Sequence, residues 1–476
     1  MNWNTILLMR HEIVLAIVIL VLLLADVFTS AGNKKSLNGI AVGLFAVYTA
    51  IGFIPFEPVK LFGGMFINTP LTIALKNIMN VGVLLIAMMS VSWINKKMLP
   101  LGKVAEFYLL LFSSLLGMMY MVSAGHFLML YIGLELATLP VTALASYDMY
   151  NRKSSESGIK LILSAAFSSG VVLFGISMLY SVSGSLYFSG MTGHIGSSYL
   201  SILGMVMVFA GFGFKISLVP FHFWTADVYE GAPTPVASYL SVISKAGAVF
   251  VLMILMFVVF RQLIEVWKYL FYGIAVLTMF IGNFFAIRQK NLQRFMAFSS
   301  IAQAGFIMVG MMSADKLAVA NVVYFIAIYM LSNIAVFGVI QAVYLVSGRI
   351  EIDEYNGLYR TNPMVSLVLM FGLFSLAGIP PVAGFFGKFF LYTSAASQGY
   401  YWLIFIAVVN VTISLYYYLV VVRAAFLRTT EDPIPKFKSD GYMKIAMAFL
   451  VIALIVLGLM SPFYEYISSM SNIINI

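Results

Sequence analysis

The sequence predicts an all-α integral membrane protein with about 14 transmembrane helices. Charged residues make up 9% and hydrophobic residues 62% of the 476 positions. A soluble domain carries about 25% charged residues, so a soluble core could not bury this chain. The net charge of +9 is scattered over loops, which favours membrane topology over nucleic-acid binding.

Apolar runs mark the spans, because each helical crossing needs roughly 20 apolar residues. The runs cover residues 13–28, 39–56, 77–93, 104–121, 127–147, 159–182, 199–219, 236–260, 269–287, 295–312, 318–346, 364–396, 401–426 and 445–460. Their loops alternate between rich and poor in Lys and Arg, and the rich loops are expected to be cytoplasmic. We therefore expect a multi-pass protein of the bacterial inner membrane with both termini on the non-cytoplasmic side.

Cofactor chemistry is not expected in this chain. It has no cysteine and only four histidines, none of them in a ligand-like pair. Thiolates cannot hold an iron–sulfur cluster here, and neither haem nor another metal site is predicted. If redox chemistry drives this protein, the electrons travel in a partner. We also expect no cleaved signal peptide, so the first run stays in place as a helix.

The stretch 209–247 places two lysines where lipid-facing helices carry none. Lys215 lies in an apolar run that Pro220 breaks, and Lys245 lies in the next run. Proline removes a backbone donor and leaves the carbonyl of Ile216 without its partner. Charges at membrane depth face a bundle interior or a water-filled route and mark ion or proton paths. The stretch therefore predicts a transport site.

A second broken helix follows in the run 364–396. Pro380 and Pro381 take donors from the carbonyls of Leu376 and Ala377, and Lys388 lies just beyond them. Five helix steps separate the two breaks, so the two broken spans run in opposite directions. Broken helices at matching places in inverted halves indicate a transport site near the midplane.

Glu135 and Lys160 extend this candidate path. Glu135 lies mid-span beside Pro140, where a carboxylate needs a partner, and the buried lysines are available. A purely structural ion pair is the alternative for Glu135. Lys160 lies near the cytoplasmic end of its span, so it is either a path member or an anchor whose side chain reaches the interface.

Three further polar residues lie after the first break. His222 could relay protons, since its ordinary pKa lies near neutral, or it could belong to an interfacial aromatic belt. Asp227 and Glu230 fit loop caps or surface charges better than proton carriers.

Four strings carry a family resemblance: YIGLELATLP, FHFWTADVYEGAPTPVASYLSVISKAGA, QRFMAFSSIAQAGF and GIPPVAGFFGKFF. With them, nearly the whole chain resembles the antiporter-like subunits of the proton-pumping NADH-quinone oxidoreductase, respiratory complex I. Among the paralogous types, the lysine at 388 and the short C-terminal end favour the N type.

The resemblance implies an arrangement and a set of roles. It implies two inverted five-helix repeats with discontinuous helices 7 and 12, and divides the chain into 1–103, 104–260, 261–426 and 427–476. It also places five charged residues on the proton pathway. These are Glu135, Lys160, Lys215, Lys245 and Lys388.

The resemblance further implies that the other subunits of the complex are partners in the bilayer. FMN, iron–sulfur clusters and quinone would lie in those partners, and quinone reduction there would drive proton movement here. Two alternatives stay open at this point. The chain could serve a stand-alone or multi-subunit cation/proton antiporter, or it could be a scaffold with vestigial charges.

Overall fold

The computed structural model describes residues 8–55 and 57–471. Within these ranges, 12 helices are long and apolar enough to cross a membrane, and two further apolar helices are shorter. The all-α membrane fold is thereby confirmed. The count of 14 crossings stays a prediction.

The helices follow one another with short connections. In chain order they are α1 (Arg10–Phe28), α2 (Ser36–Gly52), α3 (Pro70–Lys97), α4 (Val104–Val122), α5 (Phe127–Ala145), α6 (Arg152–Ser183), α7 (Tyr199–Ile216), α8 (Phe223–Gly231), α9 (Thr234–Val259), α10 (Ile264–Ile287), α11 (Leu292–Gly310), α12 (Lys316–Ser347), α13 (Pro363–Ala377), α14 (Ala383–Ala396), α15 (Tyr401–Phe426), α16 (Gly441–Leu459) and α17 (Pro462–Met470). Single-turn helices lie at Phe188–Met191 and Leu358–Thr361.

Helix α3 begins well before the apolar run predicted at 77–93. Thr69 caps it by accepting a hydrogen bond from the Thr72 backbone, and Pro70 occupies the first turn. The apolar pattern missed this turn because Lys76 is polar, although its side chain is buried.

A two-stranded antiparallel hairpin, which the sequence did not predict, joins α2 to α3. Strand β1 (Val59–Leu61) pairs with β2 (Phe66–Asn68). Gly63 and Gly64, with φ of 67° and 93°, form its turn in the left-handed region that favours glycine. Residue 56, the predicted end of the preceding run, lies outside the described residues.

Helices α11 and α12 form the centre of the molecule, because their apolar stretches are buried along the whole length. Helix α4 packs closely on α5: a Cβ at Gly117 would lie 2.2 Å from the Ala137 nitrogen, so only glycine fits there. Outer helices such as α6 and α15 expose large apolar side chains, among them Phe167 and Trp402. Such surfaces suit lipid.

Both predicted breaks are present. Helix α7 ends at Ile216 and α8 begins at Phe223, while α13 ends at Ala377 and α14 begins at Ala383. The predicted boundaries at 103, 260 and 426 each fall between helices. The division into four parts and the two inverted repeats stay predictions.

Candidate functional site

Lys215 lies in the last turn of α7, directly before the first break. Its side chain is 9% exposed. The ammonium donates to the hydroxyl of Thr138 on α5 and, at 3.5 Å, to the carbonyl of Leu134. Ser217 ends the helix with φ of 67°, a backbone conformation that residues other than glycine rarely adopt.

Glu135 lies between the two α5 residues that hold Lys215. Its carboxylate is near enough to interact electrostatically with Lys215, yet no ion pair forms between them. Its Oε1 is buried without a hydrogen-bond partner among the described residues. The expected pairing of Glu135 with a buried lysine is therefore not formed; the Lys215 ammonium donates to Thr138 and Leu134 instead.

Lys245 lies in α9, and its side chain is 3% exposed. Its ammonium donates to the hydroxyl of Ser300 on α11 and, at 3.4 Å, to the carbonyl of the same residue. The Tyr229 ring centroid is 6.0 Å away. The sequence indicated no irregularity beside Lys245, but a π-helical segment, Leu240–Ser244, comes directly before it. Such turns are frequent at functional sites.

Lys388 lies on α14 at the second break, and its side chain is 3% exposed. The ammonium donates to the carbonyl of Leu376 at 2.7 Å and to that of Ala377 at 3.2 Å. The prolines were predicted to leave these two carbonyls open. Gly378, with φ of 85°, turns the chain there.

A buried polar chain, the α11 chain, is formed by Ser299, Ser300 and Gln303 with Tyr418 of α15 and contacts the sites of both Lys245 and Lys388, although no hydrogen bond among the described residues links Ser300 to the other members. Ser300 contacts Lys245, and its neighbour Ser299 lies 2.5 Å from the Tyr418 hydroxyl. Gln303 donates at 3.2 Å both to that hydroxyl and to the carbonyl of Leu376, which also accepts from Lys388. Every link lies inside the protein.

Sequence reasoning did not single out these α11 residues. Ser299, Ser300 and Gln303 stand in a helix whose other residues are apolar, apart from Gln293 and Arg294 in its first turn. In a fully buried membrane helix, such polar residues need partners and mark a polar interior. That signal was present in the sequence, but it depends on knowing that α11 is central.

Lys160 does not join the buried lysines. It lies near the start of α6 with 39% of its side chain exposed and pairs with Glu156 and Asp227, both at 2.6 Å. Arg294 pairs at 2.8 Å with Asp227 and with Glu230. The cluster ties the end of α8 to α6 and α11, and the place of Lys160 on the path stays a prediction.

The acids of this surface cluster are stabilised as carboxylates. Burial alone raises the pKa of Asp227, but the hydrogen bonds from Lys160 and Arg294 outweigh burial and hold that pKa below its ordinary value. The pKa of Glu230 is lowered for the same reason, with Lys153 and Arg294 as donors. Both acids therefore serve as fixed charges of ion pairs.

His222 lies in the segment between α7 and α8. Its ring is buried and stacks on Phe223 at 4.6 Å. The Nδ1 atom has no hydrogen-bond partner in the described part of the chain. A relay role and an aromatic packing role both stay open for this residue.

No group of three or more His, Asp or Glu within residues 8–55 and 57–471 is arranged to hold a metal ion. Three buried lysines, Lys215, Lys245 and Lys388, pair with no carboxylate among the residues described, and each donates to neutral oxygens. A buried ammonium held this way can lose and regain a proton when a charge nearby moves.

These features define a class: multi-pass membrane proteins of the antiporter-like kind, with lysines at broken helices and a polar interior between them. Residues 124–414 match the family described as NADH:quinone oxidoreductase/Mrp antiporter, TM. The chain belongs to the subunit N family of NADH-quinone oxidoreductases. Subunit N of Phocaeicola vulgatus is 46% identical to it over 98% of this chain and 99% of that protein.

Solved structures agree with this assignment. A chain of respiratory complex I from Thermus thermophilus with bound aureothin has a TM-score of 0.78 and 27% identity, over 94% of this chain and 97% of that one. A chain of the Mrp complex from Dietzia has a TM-score of 0.85 over 98% of both chains, but its 17% identity shows the fold alone. All five predicted pathway residues lie within the matched range 124–414.

Proposed function

We propose that this chain translocates protons in the membrane arm of NADH:quinone oxidoreductase, with Lys215, Lys245 and Lys388 as the proton carriers. The observation that carries the proposal is the polar chain on α11. It brings the Lys245 partner Ser300 next to Ser299, from which a hydrogen-bonded series runs through Tyr418 and Gln303 to the Leu376 carbonyl that also accepts from Lys388.

Glu135 and Lys215 form the switch. The ammonium donates to Thr138 and Leu134, the neighbours of Glu135 in space, so a short side-chain movement brings the two charges together. Two unit charges about 4 Å apart at an effective dielectric of ~20 interact by roughly 4 kcal/mol. Pairing therefore favours the protonated lysine, and separation favours release of its proton.

Lys245 then acts as the central relay. A proton leaving Lys215 reaches Lys245 through water. Water also bridges Ser300 to the series of Ser299, Tyr418 and Gln303, which leads on towards Lys388. Lys388 exchanges its proton with the outer side. The two carbonyls at the break hold its ammonium without any acid, so this site does not trap the proton in an ion pair.

The driving event lies outside this chain. Moving one proton against 100 mV costs about 2.3 kcal/mol. Quinone reduction in partner subunits, which carry FMN, iron–sulfur clusters and quinone, supplies that energy by moving Glu135 relative to Lys215. The chain lies in the bacterial inner membrane with both termini on the non-cytoplasmic side. Its 46% identity to subunit N over nearly full length favours this function over a stand-alone cation/proton antiporter.

Substitution of Lys245 tests the proposal. We expect a complex with Lys245→Ala to assemble but to lose proton pumping in vesicles supplied with NADH and quinone. Lys316→Ala is the matched control, because Lys316 is an exposed lysine at the start of α12. Subunit content on native gels is measured in parallel. Parent-like pumping by the assembled Lys245→Ala complex would remove Lys245 from the path and reject the proposed function.

A further inference from the structure

A second buried charged pair lies away from the lysine path, at the start of α1 and α3. The Lys76 ammonium donates to Glu12 Oε1 at 2.5 Å and to Asn68 Oδ1, on strand β2, at 2.6 Å. Both charged side chains are fully buried, with 0% exposure. The pair lies outside the range 124–414 that the family match covers.

Stability is a poor explanation for this pair. In each of the other ion pairs among the described residues, both side chains are at least 10% exposed. Removing two charges from water costs several kcal/mol per ion, and apolar replacements are often neutral or stabilising. A fully buried Glu12–Lys76 pair therefore points to a role that needs the charges.

The surroundings of the pair are polar, and some of their buried polar atoms have no hydrogen-bond partner among the described residues. Glu12 Oε2 and both amide atoms of Asn80 have no hydrogen-bond partner in the described part of the chain. Asn80 lies one turn beyond Lys76 on the same face of α3, and the Tyr48 hydroxyl lies close to it. Buried polar atoms that protein does not satisfy are paired with water in native structures.

The polar contacts also continue towards the hairpin. Asn68 Oδ1, which accepts from Lys76, accepts a second hydrogen bond from Ser123 at 3.0 Å, just past the end of α4. These residues belong to the side of the membrane that the loop charges predict to be non-cytoplasmic. The pair thus lies between the outer surface and Asn80.

We propose that Glu12 and Lys76 form a second proton-binding site that exchanges protons with the aqueous phase outside, an inference that rests on the proposed function. The Lys76 ammonium gives a proton to Glu12 Oε1 across their hydrogen bond. One N–H bond breaks and one O–H bond forms, which leaves a neutral amine and a neutral acid. The carboxyl group then rotates so that its O–H meets water on the outer side, the O–H bond breaks and that water takes the proton as hydronium, while a hydronium beside Asn80 returns a proton to the amine.

Lys76→Arg separates proton exchange from structure. Arginine keeps the positive charge and can pair with Glu12, but it does not lose its proton in proteins. The proposal predicts an assembled complex that pumps fewer protons per NADH oxidised than the parent. A purely structural pair predicts that arginine restores parent-like pumping, and that result would overturn the proposal.

A double variant covers the case in which arginine does not fit. Glu12→Gln with Lys76→Met removes both charges and leaves no lone buried ion. Asp26→Asn with Lys34→Met is the matched control, since this pair is partly exposed at the other end of α1. We expect the buried double variant to assemble and to lose pumped protons per NADH, while the control matches the parent.

Two outcomes count against the inference. If the buried double variant assembles and pumps like the control, or if neither Lys76→Arg nor the double variant assembles, the pair serves folding and the proposal is overturned. Lys245→Ala measured in the same vesicles distinguishes this failure from that of the proposed function. Normal pumping by Lys245→Ala would reject the proposed function itself.

Discussion

The two broken helices hold their lysines in different ways. At the second break, Lys388 donates to the carbonyls of Leu376 and Ala377, which belong to the same broken helix. At the first break, Lys215 donates to Thr138 on α5, a different helix, and not to the carbonyls of its own break.

This difference separates two kinds of lysine site. The second site is self-contained, because its oxygens come from the backbone and no acid lies among its contacts. The first site lies beside Glu135, whose charge acts on Lys215. The same sequence device, a lysine beside proline, thus gives a lysine held by backbone carbonyls at one break and a lysine beside an acid at the other; the proposed function assigns proton passing to the former and switching to the latter.

The largest expected difference between the breaks is in coupling to Glu135. In double-mutant cycles on NADH-dependent quinone reduction, we expect Glu135→Gln and Lys215→Ala to be coupled by about 0.5–3 kcal/mol, as contacting groups are. Glu135→Gln and Lys388→Ala should be coupled more weakly, because no contact joins them and only their place on one proton path makes their effects non-additive. Equal coupling in the two cycles would contradict the distinction.

Thr138→Val should have the next largest effect. Valine matches threonine in shape but removes the hydroxyl that holds the Lys215 ammonium, and a hydrogen bond to a charged group contributes about 1.5–3 kcal/mol. We expect the ammonium to move towards Glu135 and turnover to fall. Thr142→Val, which removes a hydroxyl bonded only to the Leu139 carbonyl on the same helix, is the control and should keep parent turnover.

Gln303→Met tests the second break and should have a smaller effect. It removes one of the two donors to the Leu376 carbonyl, while Lys388 still supplies the other. The loss of a neutral hydrogen bond costs about 0.5–1.5 kcal/mol. Pumping should fall less than in Thr138→Val. A larger fall would show that the α11 chain matters more to pumping than the contact between Lys215 and Thr138.

The smallest effect on pumping is expected for the backbone at the two breaks, where substitution changes thermal stability instead. Gly378→Ala places a Cβ at φ of 85° and 3.3 Å from the Lys388 side chain, which costs about 1–2 kcal/mol. Ser217→Gly removes the backbone strain of a φ of 67° and so stabilises the fold. The backbone entropy that glycine loses on folding offsets about 0.5–1 kcal/mol of that stabilisation. The temperature at which the complex loses activity should fall for Gly378→Ala and not for Ser217→Gly.

Much of the fold could be predicted from the sequence, because a chain can cross a membrane only in structures that satisfy all backbone hydrogen bonds internally, such as long apolar helices. Long apolar runs form helices, and prolines interrupt two of these helices close to a lysine. The breaks after Lys215 and before Lys388 were predicted, and so was the loss of backbone donors at the two carbonyls that Lys388 proves to contact. The hairpin was missed because three-residue strands carry no periodic signal.

The site was harder to predict, since partners across helices leave no trace in local pattern. Nothing near Lys215 in the chain points to Thr138, and nothing near Lys245 points to Ser300. Lys76 interrupted an apolar run and so shortened the predicted helix, whereas its partner Glu12 lies two helices away. Such pairings depend on which helix faces meet.

The most direct measurement is proton pumping by the assembled complex in vesicles that carry Lys215→Ala, with NADH oxidation and subunit content recorded together. The account predicts a complex of parent composition whose pumping and coupled turnover collapse. A complex of parent composition that pumps as many protons per NADH as the parent would show that this lysine carries none of them.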